Sequence, residues 1–256
     1  GVYRDQGKRG NAGDGKEICD LLVVFDRHII IFSDKHCELQ DSGDVQRDWQ
    51  RWFKRAIQKS AEQAWGAERW IRQQPNRIFL DRECKHPLPI DLPPIGQAVF
   101  HLVVVAHGVS SRIRRIFPGG SGSLMLNTSL KGFDQQTFPF YVGDVAPQKT
   151  FVHILDDDSL RTLMTARDTI SDFVAYLSAR ERLLRGQRKI CATGEEQLLA
   201  IYLKNLNEKN EHDFVFPIEP GQTVTKIYLP EGHWEDFQNA PERIAQLNAD
   251  KVSYTW

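Results

Sequence analysis

Hydrophobic positions along this chain fall into two kinds of pattern. The runs L-L-V-V-F at 21–25 and I-I-I-F at 29–32 are apolar on both faces and are joined at Asp26-Arg27. Short β-branched-rich runs of that kind predict strands of a sheet covered on both sides. From Val45 to about Arg72 the period changes. Trp49, Trp52, Phe53, Ala56, Ile57, Ser60, Ala64, Ala67, Trp70 and Ile71 recur at spacings of three and four. This predicts one long helix, with an N-cap in the D-S-G-D stretch at 41–44 and a stop at Pro75.

Further along, 78–80 predicts a short strand and 101–106 another buried one. Pro87, Pro89, Pro93 and Pro94 make 83–98 an ordered loop. Residues 108–124, ending in P-G-G-S-G-S, read as a loop, and 138–142 and 151–155 as strands. Asp158 is the expected cap of a helix over 159–184, and a second helix is expected from 194 or 195 to 207. A late hairpin pairs 212–218 with 223–228, and a short helix covers 240–248. The first fifteen residues, rich in Gly, Arg, Lys and Asp, read as exposed loop. No repeat or low-complexity segment interrupts this order. A hairpin, a helix and a strand followed by a mostly helical second half imply an α/β layer with an α+β extension. The expected division is a core at 1–148 carrying the Pro-rich loop and an extension at 149–256, packed with the core or apart from it.

Composition narrows the function. The 256 residues carry a formal charge of -1, so no whole-surface field for polyanions exists and any nucleic-acid contact needs local basic patches. Cys19, Cys37, Cys84 and Cys191 are scattered with no C-x-x-C, which suits reduced thiols in the cytoplasm. No apolar run reaches about 18 residues and no signal-peptide pattern is present, so no membrane association is expected. The chain starts without Met, and a fragment of a longer protein is one expectation.

The hairpin carries the candidate chemistry. In an antiparallel pair the cross-strand partners share a fixed index sum, and side chains alternate faces. With a two-residue turn at Asp26-Arg27, 25 pairs with 28 and 20 with 33. Asp20, Ser33 and Lys35 then share a face and Asp34 points to the other. With a three-residue loop, Asp20 faces Asp34 and Lys35 changes sides. One residue of slip decides which carboxylates meet.

The run G-K-E-I-C-D-L-L-V-V followed by I-I-I-F-S-D-K resembles the PD-(D/E)XK nuclease superfamily, nearest its NERD-like and Mrr-like branches. The resemblance covers roughly residues 15–72. It implies a restriction-endonuclease-like central mixed sheet flanked by helices. It also implies metal-dependent cleavage of DNA, in defence against foreign DNA. Asp20 matches the family's first Asp and Lys35 its Lys. Ser33 stands where the second acid belongs, with Asp34 one place late. Glu17 offers a further carboxylate, and Gln63 on the following helix matches a Gln that contacts the site in some branches. The implied catalytic set is Asp20, Asp34, Lys35, Glu17 and Gln63. Asp20, Asp34 and Glu17 would hold Mg2+ or Mn2+, hard ions that take oxygen ligands, and Lys35 would neutralise charge or orient water. The departure at Ser33 keeps a second expectation open: a degenerate, non-catalytic relative that binds nucleic acid or a protein partner. A homodimer is a further possibility.

Two basic groups suggest contacts to phosphate. Arg112, Arg114 and Arg115 precede the Gly/Ser loop, and Arg185, Arg188 and Lys189 close a predicted helix. The P-G-G-S-G-S stretch lacks G-K-[ST] and is no Walker loop. Asp156-Asp157-Asp158 reads as helix capping. No two of the eight histidines have H-x-x-x-H spacing, and His107 is a cleft candidate only through its place between a strand and Gly108.

Overall fold

A computed structural model describes residues 1–5, 15–166, 169–216 and 226–253. Two four-stranded mixed sheets, flanked by helices, give an α/β architecture. The first sheet has the order β3 (Leu21–Phe25), β4 (His28–His36), β5 (Val99–His107), β8 (Val152–Leu155). β3 is antiparallel to β4, while β4, β5 and β8 run parallel. The second sheet orders β10 (Lys226–Leu229), β9 (Lys189–Ala192), β6 (Met125–Lys131) and β7 (Tyr141–Asp144). Each sheet takes strands from both sides of residue 148, and one hydrophobic cluster links Ile29 and Val104 to Met125, Ile190 and Leu229. A small antiparallel pair, β1 (Val2–Arg4) and β2 (Lys16–Cys19), lies beside the first sheet.

The long helix forms as its period predicts, from Asp44, whose carboxylate accepts the Arg47 N–H, to Gln73. It is not uniform. Between α1 (Val45–Trp52) and α2 (Lys59–Gln73), residues Phe53–Gln58 form a π-helical turn. The sequence holds the reason. Trp52/Phe53, Ala56/Ile57 and Ser60/Ala61 are buried pairs repeating every four residues. An α-helix has 3.6 residues per turn and would rotate such pairs off the sheet. A turn with i→i+5 bonds holds more residues and keeps them facing it.

Elsewhere the structure departs from the expected elements for local reasons. The helix expected at 159–184 is two, α4 (Asp157–Ala166) and α5 (Ile170–Arg185), because Thr169 caps the second by accepting the Asp172 N–H. Asp156, not Asp158, caps α4: its carboxylate accepts the N–H of Asp158, Ser159 and Leu124 and the Ser159 hydroxyl. The expected loop at 108–124 contains a short helix, α3 (Ser110–Ile116). At 78–80 only Phe79 bridges, to Tyr3 and Pro87. The expected late hairpin's turn and the adjoining parts of its two strands, at 217–225, lie outside the described residues, and β10 pairs in parallel with β9. Strands β1, β2, β6 and β9 had no counterpart in the sequence reading, and β1, with Val2 buried, lies in the stretch expected as exposed loop. The chain closes with α6 (Glu195–Lys204), α7 (His233–Gln238) and α8 (Pro241–Ser253). Among the described residues no helix is long and apolar enough to cross a membrane.

The α5 face of the first sheet buries an ion pair. Arg180 is 1% exposed and its guanidinium donates to both oxygens of Glu195 at 2.7 and 2.9 Å, while Tyr176 gives its hydroxyl proton to the same carboxylate at 2.6 Å. On that face His101 and His153 are also buried, and among the described residues His101 Nδ1 and His153 Nε2 have no hydrogen-bond partner. Burial, reinforced by the charge of His28, lowers His101 to about 4, and burial beside Arg180 holds His153 well below the ordinary histidine value.

Two outcomes follow for folding. Replacing Arg180 by Met strands a buried carboxylate, and denaturant titration should register a loss of about 3–5 kcal/mol. A loss under 1 kcal/mol contradicts the pairing. The buried histidines are neutral when folded and bind protons when unfolded. Stability should therefore fall as pH drops from about 6.5 towards 4, and His101→Phe should make that decline shallower. Identical pH profiles for the two proteins contradict it.

Candidate functional site

Strands β4 and β5 pair in register along nine residues, so Asp34 lies beside Val105, Lys35 beside Ala106 and His36 beside His107. β8 ends level with them, and α4 begins at once with Asp157. Three parallel strands thus finish together, the part of an open α/β sheet where ligands are bound. Trp52 fixes this end: its indole N–H is shared between the carbonyls of Cys37 at 2.7 Å and His107 at 3.2 Å. Gly108 has φ +84, and a Cβ there would lie 2.6 Å from the Cys37 carbonyl oxygen, so the turn after β5 takes only glycine.

The side chains at this end form a chain of contacts. His107 Nε2 meets Asp34 Oδ1 at 2.6 Å and its Nδ1 pairs with Asp157 Oδ1. The other Asp157 oxygen accepts the Gly108 N–H. Partial burial pushes the His107 imidazole down, but the hydrogen bond and charge of Asp157, with Asp34 beyond the other nitrogen, outweigh it and leave the value raised. Asp157 is held below the usual carboxylate range: burial opposes this, and the bonds from His107 and Gly108 overcome it. His36 lies against His107, ring centroids 5.9 Å apart, and reaches Glu38.

The hairpin register is the two-residue one, with Phe25 opposite His28 and Asp26 in the left-handed region at φ 49. Extended by one position, it sets Asp20 opposite Ser33 and on the face of Lys35. Asp34 takes the other face, towards His107. Asp20 still reaches the strand bearing Asp34, because its carboxylate accepts the Asp34 N–H at 2.8 Å. The chain bends at Asp20, between β2 and β3, the regular ladder stops at Leu21–Phe32, and the Asp20 side chain satisfies the Asp34 N–H. Ser33 is buried and, among the described residues, its hydroxyl has no partner. Lys35 is exposed and, among the described residues, unpaired.

The other expected residues lie elsewhere. Glu17 and Gln63 line a groove of their own, between β2 and α2, with Lys16, Arg69 and Trp70. Arg112 and Arg115 both pair with Asp41, and Arg114 with Asp158, so these three are tied to carboxylates instead of standing free in a loop. Arg185 is tied to Asp144 and to the carbonyls of Ala146 and Lys149. Arg188 is half-buried, and Lys189 is exposed on β9. Sequence reasoning missed His107 and Asp157 as partners. The available signal was a His-Gly and an Asp each following a strand.

Among the described residues no three His, Cys, Asp or Glu side chains are arranged to hold a metal ion. The Asp20 and Asp34 carboxylates lie on opposite faces of the sheet, so the expected Asp20–Asp34–Glu17 set is not brought together: Asp20 accepts the Asp34 N–H, Asp34 turns to His107, and Glu17 faces the groove. Mg2+ keeps several waters and needs only one or two protein carboxylates beside substrate phosphate. Asp20 alone, on the face of Lys35, meets the lower limit of that set. Comparison with protein families, curated proteins and solved structures finds no match.

His107 should titrate above its ordinary 6.5, and Asp157→Asn should bring the value down. NMR of the imidazole nitrogens reads both. The ring's stabilising contribution is complete below about 6.5 and fades as pH rises through the raised value. A His107 value below 6.5 in the wild type contradicts the geometry.

Proposed function

We propose that this chain is a nuclease, a metal-dependent phosphodiesterase acting on DNA. The observation that carries the reading is the hairpin register, which gives Asp20 and Lys35 a common face at the strand end. The order of hairpin, long helix and strand parallel to the second hairpin strand supports a restriction-endonuclease-like core.

In this reading Asp20 would hold the metal, with waters and the substrate phosphate as its other ligands, while Asp34 stands on the other face with His107. Mg2+ bound at Asp20 supplies a Lewis acid for the phosphate. Water attacks phosphorus, the bond to the leaving oxygen breaks, and a phosphomonoester and a hydroxyl result. The exposed Lys35 ammonium pairs with a phosphate oxygen as its charge grows. His107, raised by its bond to Asp157 and by Asp34, has both ring nitrogens held by those carboxylates, so the proton taken up by the leaving oxygen comes from water.

One observation favours a second reading. Ser33 occupies the acid position and is buried, while Asp34 is engaged by His107. A non-catalytic nucleic-acid-binding module would tolerate both.

The test incubates supercoiled, linear and single-stranded DNA, and RNA, with Mn2+, Mg2+ or EDTA. Asp20→Asn keeps an acceptor for the Asp34 N–H and removes the charge. It and Lys35→Ala should lower cleavage on the order of a hundredfold or more with the melting temperature nearly unchanged. Wild-type cleavage that survives both substitutions overturns the assignment. No cleavage of any substrate by the wild type selects the binding module.

A further inference from the structure

The stretch R-W-F-K-R-A-I-Q-K at 51–59 carries four cations and no acid in a chain whose formal charge is -1. All four, Arg51, Lys54, Arg55 and Lys59, are exposed. Among the described residues none of them makes an ion pair or hydrogen bond. This separates them from Arg112, Arg114, Arg115 and Arg185, each matched to a carboxylate. The nearest acids in sequence are turned to other partners: Asp48 accepts from Ser42, and Glu62 from Gln58.

The π turn sets their geometry. In a regular α-helix, residues four apart drift around the axis, and over eight residues the drift approaches a quarter turn. The same widening that keeps the buried pairs facing the sheet keeps Arg51, Arg55 and Lys59 in line on the opposite side. They form a row about 12 Å long at 1.5 Å per residue. Like charges four apart repel, so the row opposes helix formation and has no compensating partner within the fold. The row starts beside the strand ends, since Trp52, next to Arg51, is bonded to the carbonyls of Cys37 and His107.

We infer that the exposed face of this helix is a track for the phosphate backbone of a nucleic acid, with Arg51, Lys54, Arg55 and Lys59 as its contacts and the strand-end cluster at its head. The choice of nucleic acid as occupant rests on the nuclease reading and on charge complementarity. A row of unpaired cations at regular spacing matches a row of phosphates and carries no base-specific information. Binding through it is salt-dependent and indifferent to sequence.

Fluorescence anisotropy of a labelled 30-mer duplex, and of its single strand, measured in EDTA over a range of salt, tests the track. Neutralising all four positions (R51Q, K54Q, R55Q, K59Q) should flatten the dependence of log K on log salt by about three units. It should weaken duplex binding on the order of a hundredfold at moderate salt. The side chains are exposed, so the melting temperature should move by only a few degrees. K204Q with K226Q, two exposed lysines away from the helix, should leave the slope unchanged, and Asp20→Asn should bind as the wild type does. The track is overturned if the fourfold variant binds like the wild type, if K204Q with K226Q loses as much, or if the wild type binds phosphatidylserine vesicles but no nucleic acid. Loss of binding in the fourfold variant together with full cleavage by Asp20→Asn removes the reaction centre and leaves the track standing.

Discussion

The indole N–H of Trp52 holds two carbonyls at once, that of Cys37 just past β4 and that of His107 at the end of β5. The long helix is thereby attached to the two strands whose ends carry Asp34, Lys35 and His107. The attachment has sequence requirements on both sides. Gly108 must lack a Cβ for the chain to pass the Cys37 carbonyl, and the helix must present Trp52 and Phe53 together, four residues before Ala56 and Ile57. Removing the tryptophan's hydrogen would free one buried and one part-buried carbonyl as well as the anchor of the helix.

Around this anchor the molecule separates apolar from polar demands by sheet face. The α1–α2 face is built from Ile29, Ile31, Leu102 and Val104 against tryptophan and alanine. The α5 face mixes Ile30, Val103 and Leu155 with neutral histidines and the Arg180–Glu195 pair. Charges at the strand end sit where both layers stop, partly in water, and there they engage one another. His107 between Asp34 and Asp157 is stabilised by the solvent-limited setting that would penalise a lone ion.

Much of this was legible in the chain. The apolar runs at 21–25 and 29–32 became β3 and β4, and the three-and-four spacing became the long helix. Both signals are periodic and local. The hairpin register was legible only as two alternatives, because the turn residues Asp26-Arg27 do not by themselves fix the loop length. Strand β6, M-L-N-T-S-L-K, was hidden by its polar residues, and β9 by cations that read as the end of a helix. The partners of His107 come from strands and helices 50 to 73 residues away, and no spacing rule reaches so far. The arginines at 112–115 looked free because Asp41 and Asp158, which neutralise them, are remote in sequence.

The buried doublets at 52/53, 56/57 and 60/61 also set how this helix accepts change. Across an ordinary helix, tolerance of substitution rises and falls every three or four residues in turn. Here it should rise and fall every four, through three successive turns. A single codon lost between them would shift every later doublet by one place and bring Glu62 towards the sheet. The segment is therefore more forgiving of altered side chains on its outer face than of any altered length.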